Sequence, residues 1–289
     1  MPSRAGHPAL APAKVNLTLH VTGRRADGYH QLDSLVVFAG IADRLAARLA
    51  PDLNLSVNGP FAEGVPSDGS NLVLRAAALL REARGVSTGA AISLEKHLPH
   101  PAGLGGGSSD AAAALALLAE LWRVAPLDAT DPRVLALGAD VPVCMSSPRP
   151  VRMTGIGETL SPVPALPAAG LVLVNPRVNV PTRDVFAALA GTENAAMEAL
   201  PARLNLDRLT AWLGRQRNDL TAAAVTLAPE IGQVLDVLTA QPKVRWAGMS
   251  GSGATCVGLV SDVDAARRTA QAIQLREPTW WVVAAPLLG

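Results

Sequence analysis

Twelve consecutive residues near the middle of the chain, Pro99-His100-Pro101-Ala102-Gly103-Leu104-Gly105-Gly106-Gly107-Ser108-Ser109-Asp110, are the clearest chemical signal in the sequence. The four glycines let backbone N–H groups come close to an anion with no side chain in the way. Residues 91–96 alternate like a strand running into this loop, and Ser108-Ser109-Asp110 offers N-cap and first-turn chemistry for a helix over 111–122. The free N–H groups and partial positive charge at that helix start favour a diphosphate or triphosphate, with Ser108 and Ser109 able to donate to the same oxygens. The chain contains no Gly-Lys dipeptide, so the loop is not of the Walker A type, and it lacks the G-x-G-x-x-G spacing of dinucleotide folds. The alternative is a flexible linker, which a strand seldom enters and an alanine-rich helix seldom leaves.

Other residues gain meaning beside this loop. Lysine occurs three times, at Lys14, Lys96 and Lys243, against 22 arginines. Lys14 and Lys96 fall next to the candidate chemistry, where a compact charge suits a reacting hydroxyl or a phosphate; Lys243 reads as a solvated surface residue. Asp140, in Gly138-Ala139-Asp140-Val141-Pro142, stands between a glycine and an apolar stretch. That setting suits a general base, though for the residue taken alone a turn or cap role is the stronger reading. Tyr29, the single tyrosine, precedes His30 just after an Asp27-Gly28 turn, a pair that could face a planar heterocycle. A second glycine-serine stretch, Gly248-Met249-Ser250-Gly251-Ser252-Gly253, is either a hairpin turn or a further source of backbone donors.

The elements that must position these groups follow from periodicity. Residues 14–21 alternate, with Val15, Leu17, Leu19 and Val21 on one face and Lys14, Asn16, Thr18 and His20 on the other. Residues 35–38 and 53–57 read as further strands, and 71–84 as a helix ending before Gly85. Prolines at 148, 150, 162, 164 and 167 place a boundary near residue 160, dividing the chain into domains 1–160 and 161–289. The second half reads as a strand at 171–174, three helices (the last at 230–239), a strand, a helix at 264–274 and a final strand at 280–285, an α+β order.

Bulk properties set limits. A length of 289 residues with 49% hydrophobic and 17% charged residues describes a globular chain rather than a disordered one, with two domains the default expectation and one large domain the alternative. A net charge of +1 carries no polycationic footprint for nucleic acid or anionic lipid. Cys144 and Cys256, far apart in apolar surroundings, read as buried thiols. Residues 1–13 lack a basic segment followed by an apolar run, and no stretch approaches the ~20 apolar residues of a spanning helix, so the expectation is a cytoplasmic protein without membrane partners. Nothing in the pattern sets an oligomeric state.

Five segments taken together resemble the GHMP kinase superfamily: Pro12-Ala13-Lys14-Val15-Asn16-Leu17, Arg25-Ala26-Asp27-Gly28-Tyr29-His30, Gly103 through Ala112, Gly138-Ala139-Asp140-Val141-Pro142, and Met249-Ser250-Gly251-Ser252-Gly253. Within it, the Asp-Gly-Tyr-His and Gly-Ala-Asp-Val-Pro pieces most resemble the branch acting on cytidine-diphosphate-linked methylerythritol in non-mevalonate isoprenoid synthesis. The resemblance implies an α+β fold with a ribosomal-protein-S5-like N-terminal ATP-binding domain and a ferredoxin-like C-terminal domain. It implies ATP and Mg²⁺ as cofactors, with the metal ligands unassigned, and a small-molecule alcohol as substrate. It makes Asp140 the base for the 2-hydroxyl and Lys14 its neighbour, Tyr29 the partner of the cytosine, and Asn16, His30, Thr182 and Phe186 substrate contacts. It puts Asn71, Lys96 and Pro99 through Ser109 at the nucleotide. One departure stands out: Pro101 occupies a position where the family usually has a small residue, which removes an N–H donor. Rival readings are a GHMP kinase for homoserine or mevalonate, and a nucleotide-binding sensor without turnover.

Overall fold

Aliphatic alternation becomes strands and most Ala-Leu runs become helices in the computed structural model, which describes residues 8–100 and 102–289. Residues 1–7, on which part of the N-terminal reading rests, and Pro101, with its proposed place in the nucleotide loop, lie outside the described residues. The chain opens with β1 (Ala9–Asn16), β2 (His20–Arg24), β3 (His30–Ala50), β4 (Asn54–Asn58), α1 (Leu72–Ala83), β5 (Gly89–Glu95) and α2 (Gly106–Trp122). Next come α3 (Pro132–Leu137), α4 (Val141–Cys144), β6 (Val151–Gly155), β7 (Thr159–Pro162), β8 (Gly170–Asn175), α5 (Thr182–Ala187), α6 (Leu206–Leu213) and α7 (Thr221–Leu227). The chain closes with α8 (Glu230–Thr239), β9 (Trp246–Met249), β10 (Cys256–Val260), α9 (Val263–Arg276) and β11 (Trp281–Leu288). Packing divides it into two compact units interleaved in sequence: one contains Ile41–His100 and Gly105–Ser146, the other Lys14–Gly40, residues 102–104 and Ser147–Gly289.

In the first unit β5 lies between β4, parallel to it, and the second half of β3, antiparallel to it from Arg44↔Glu95 to Ala50↔Gly89. Residues 41–50 are rich in Ala, Leu and Arg, a helix-former composition; pairing with β5 overrides that preference. Helix α1 starts where the Asn71 side chain accepts from the Val73 N–H at 2.8 Å, and it buries Val73, Ala76, Ala77 and Leu80, the three-to-four spacing of one helical face. That helix packs against α2.

In the second unit the first half of β3 pairs with β2 and β6, and its Phe38 and Ala39 pair with β11. β8 sits between β11 and β10, and a turn at 250–255 joins β9 to β10 as a hairpin. Helices α8 and α9 pack against these strands, burying a cluster that includes Val172, Val174, Ile231, Val234, Leu238, Val260, Ala266 and Ile273. Both cysteines are buried, and neither forms a disulfide.

Three expectations change. The 14–21 segment is two strands interrupted at 17–19, and its polar set is buried as deeply as its apolar one: Lys14, Asn16, Thr18 and His20 are each at most 4% exposed. Helix α2 begins at Gly106, inside the glycine loop; its N-cap is Gly105 at φ 60°, so Ser108, Ser109 and Asp110 form part of the helix rather than its cap. The second half holds one more helix and one more strand than periodicity indicates, because α7 is short and β9 is only four residues long.

Candidate active site

The glycine segment is shared between the units, and each part is held differently. Ala102 and Leu104 are buried in the second unit, where the Lys14 N–H donates to the Leu104 carbonyl at 3.0 Å and the Thr255 N–H to that of Ala102 at 3.3 Å. Between them Gly103, at φ +70°, approaches the 250–253 turn so closely that a Cβ would stand 2.5 Å from the Ser250 carbonyl oxygen and 2.6 Å from that of Gly253. Only glycine suits both that backbone conformation and that space. The fully buried Ser250 hydroxyl donates to the Gly103 carbonyl at 3.0 Å and accepts the Asn16 N–H at 3.1 Å. The strand that carries Lys14 and Asn16 is thereby bonded to the loop at two points.

Asn16 is fully buried; its Nδ2 donates to Ser34 Oγ at 2.7 Å, and Ser34 Oγ donates to the Thr18 carbonyl at 2.5 Å. Its Oδ1 has no hydrogen-bond partner and lies next to Gly251, where a Cβ would come within 3.5 Å of it. A buried amide oxygen without a donor is costly unless a ligand supplies one. His30 and Phe186 are stacked, ring centroids 4.8 Å apart and planes 25° apart. Burial first, and then Arg24, lower the His30 pKa, so its imidazole is neutral near pH 7 and can both donate and accept. Tyr29 stands 58% exposed on the 25–29 turn, and Thr182 Oγ1 meets Ser252 Oγ at 2.8 Å.

In the first unit, residues 105–109 open α2, and Gly105 brings no side-chain cap to the first-turn amides. The Ser109 N–H donates to the Gly105 carbonyl at 2.8 Å, and the Ser109 hydroxyl donates to the Pro12 carbonyl at 2.7 Å, so that hydroxyl already has a protein acceptor. Gly106 and Ser108 are half-buried, Gly107 and His100 exposed, and Pro99 buried. Asp140 is half-buried as the N-cap residue of α4, its carbonyl accepting the Cys144 N–H at 3.1 Å. Just upstream, a Cβ on Gly138 would lie 4.0 Å from Ser108 Oγ, which brings the segment of the candidate base beside the start of α2. Asn71 caps α1.

Lys96 is 3% exposed at its side chain, and its ammonium is bound by Asp43 and, at 2.7 Å, by Asp110. Burial works against that ammonium, yet the two carboxylates hold its pKa above the ordinary value. Burial likewise pushes the Asp110 carboxyl up to about 7, with Lys96 pulling it back and Asp43 adding to the rise. Among the described residues no group of three or more His, Cys, Asp or Glu is placed to hold a metal ion. Nor, among them, is any helix long and apolar enough to cross a membrane.

Sequence reading missed Asp43, Ser34 and the linking role of Ser250. Asp43 left a trace as the lone carboxylate in an apolar stretch, and Ser250 as part of the second glycine-serine segment. Ser34 left none.

The sequence family described as GHMP kinases N terminal domain matches residues 71–147, and the one described as GHMP kinases C terminal matches 196–276. A protein named 4-diphosphocytidyl-2-C-methyl-D-erythritol kinase from Cereibacter sphaeroides (strain ATCC 17029 / ATH 2.4.9) is 54% identical over 97% of this chain and 99% of its own. One of the same name from Paramagnetospirillum magneticum is 52% identical over 96% of this chain and 98% of its own. A crystal structure of 4-(cytidine 5'-diphospho)-2C-methyl-D-erythritol kinase superposes with a TM-score of 0.80 at 38% identity, covering 98% of this chain and 99% of that one. Homoserine kinase from Cytophaga hutchinsonii superposes with a TM-score of 0.69 at 17% identity over 100% and 96%, a likeness of fold.

Proposed function

We propose residue roles for a chain that belongs to the 4-diphosphocytidyl-2-C-methyl-D-erythritol kinase family of the GHMP kinases. It is an ATP-dependent small-molecule kinase of the two-domain α+β GHMP fold, and it phosphorylates the 2-hydroxyl of the cytidine-diphosphate-linked methylerythritol in isoprenoid precursor synthesis.

The roles are these. Bare amides of the stretch ending at Ser109 hold the ATP phosphates. The substrate hydroxyl oxygen attacks the γ-phosphorus in line, the bond from that phosphorus to the β–γ bridging oxygen breaks, ADP leaves, and the hydroxyl proton passes to the Asp140 carboxylate. Lys14 favours the developing alkoxide. Phe186 and His30, already stacked, together with Tyr29, receive the cytosine, while Asn16 and Thr182 supply hydrogen-bonding contacts. Asn71 and Lys96 act at the nucleotide, Lys96 from beneath the loop. Mg²⁺, held mainly by the nucleotide's own phosphates, would offset their negative charge. A division near residue 160 into an ATP-binding and a C-terminal domain is part of the same proposal, supported by the two family matches falling on either side of it.

The observation that carries the reading is the pair of links from the Lys14–Asn16 strand to the glycine loop, at Leu104 directly and at Gly103 through Ser250. Catalysis by positioning needs such coupling, because a displacement of an ångström between reacting groups costs about 10²-fold in rate. Asp140→Asn tests the base: kcat falls about 10²–10⁴-fold while the Kd for ATP changes little. Near-normal turnover would refute the assignment.

A further inference from the structure

The Asp43–Lys96–Asp110 cluster is buried and multiply bonded, and of its three members only Lys96 enters the chemistry just proposed. Asp43 is completely buried. Its Oδ1 accepts the N–H of His97 at 2.5 Å and of Leu98 at 2.9 Å, and its Oδ2 binds the Lys96 ammonium. That ammonium reaches onward to Asp110 Oδ2 at 2.7 Å, in the first turns of α2. The Lys96 backbone is tied as well, its N–H donating to the Asn58 carbonyl at 2.7 Å and its carbonyl accepting the Phe61 N–H at 3.2 Å. A Cβ on Gly106 would come within 3.4 Å of Lys96 Nζ and 3.8 Å of Asp43 Oδ2, which puts the charges directly beneath the first residue of α2.

One carboxylate therefore grips residues 96–98 on one side of the glycine loop and, through one ammonium, residue 110 on the other. A buried ion pair contributes little net stability compared with apolar packing, and a second carboxylate on the same ammonium adds like-charge repulsion. Simple packing does not call for this arrangement. A loop that must present bare amides to an anion has a different need: ordering glycine-rich backbone on binding would subtract from affinity, and fixing both ends beforehand removes part of that cost.

We propose that Asp43 is a positioning residue for ATP, holding both flanks of the glycine loop through the His97 and Leu98 amides and through the Lys96–Asp110 link. The proposal rests on the reading that this loop holds the ATP phosphates.

In Asp43→Asn the amide oxygen keeps the two backbone bonds while its NH₂ group faces the Lys96 ammonium, so the link is lost and the local backbone bonds survive. The KM and Kd for ATP rise about tenfold or more, which is 1.4 kcal/mol or more at 25 °C, and the KM for the cytidine substrate moves by less than about threefold. A merely structural role lowers the folded, active fraction and leaves the KM for ATP where it was, and that pattern would overturn the proposal. Should Asp43→Asn fail to fold, the far end of the link decides: Asp110→Ala weakens ATP several-fold more than Asp110→Asn, which retains an acceptor for Lys96. Equal effects of the two, or none from Asp110→Ala, also overturn it. Hydrogen exchange on the unaltered protein tests the underlying reading separately. ATP slows exchange at residues 105–109 if the loop holds it; no slowing there removes the loop assignment itself, whereas slowing with unchanged ATP binding in Asp43→Asn removes only the role of Asp43.

Discussion

Ser250→Ala is the sharpest test of how the Lys14–Asn16 strand is coupled to the loop. The change deletes one oxygen from a fully buried side chain and leaves the rest of the 250–253 turn, including the Ser250 N–H bond to the Thr255 carbonyl at 2.9 Å, in place. Two hydrogen bonds disappear, one accepted from the Asn16 N–H at 3.1 Å and one donated to the Gly103 carbonyl at 3.0 Å. Each is worth about 1 kcal/mol net, and a buried group left unsatisfied costs roughly 1–3 kcal/mol, so the expected loss is about 2–4 kcal/mol. Urea unfolding, with the midpoint shifting and the slope m preserved, measures it. Turnover should fall beyond what the stability loss explains, because Asn16 and Gly103 belong to the groups proposed to meet the two substrates. A shift below about 0.5 kcal/mol with unchanged kcat would show that the hydroxyl neither carries load nor aligns the strand, and the coupling argument would fail.

Removing half of the ring stack has a narrower effect. Phe186→Ala raises the KM for the cytidine substrate about 3–10-fold, the worth of one aromatic contact, and leaves the KM for ATP unchanged; equal change in both would dismiss a base-binding role. His20 makes stability depend on acidity. Burial, ahead of every other influence, lowers its pKa below the usual 6.5, while Nδ1 pairs with the Ala195 carbonyl at 3.2 Å and Nε2 lies 3.4 Å from the Arg217 N–H. The folded state thus binds fewer protons here than the unfolded chain, so the contribution is complete above pH 6.5 and declines as pH falls from there toward the lowered folded value. The Tm advantage of the natural protein over His20→Asn should shrink between pH 7.5 and 5.5; an advantage constant across that range contradicts the assignment.

Much of the local chemistry was legible in the sequence because it depends on neighbours along the chain. A strand, a glycine run and an alanine-rich helix follow one another as their composition indicates, in β5, the glycine segment and α2, and α8 falls at 230–239, where its apolar period put it. The helix over 71–84 and the buried thiols belong to the same class. Periodicity failed where pairing across long separations decided the outcome. The 14–21 segment alternates as a surface strand would, yet its polar side chains are buried, since Ser34, Met197 and Ala195 supply partners for Asn16, Thr18 and His20. Residues 41–50 have a helical composition and form a strand because β5 offers a ladder of bonds. Ser250 meets Asn16 across 234 residues, and Asp43 meets Lys96 across 53. What the sequence determined by itself was the family and the set of candidate groups for the proposed phosphoryl transfer, since side-chain type and glycine content are local properties. Which of them bind one another, and that buried charges of Asp43, Lys96 and Asp110 meet beneath the start of α2, only the tertiary structure decided, because a hydrogen bond depends on distance in space and residue order alone does not encode it.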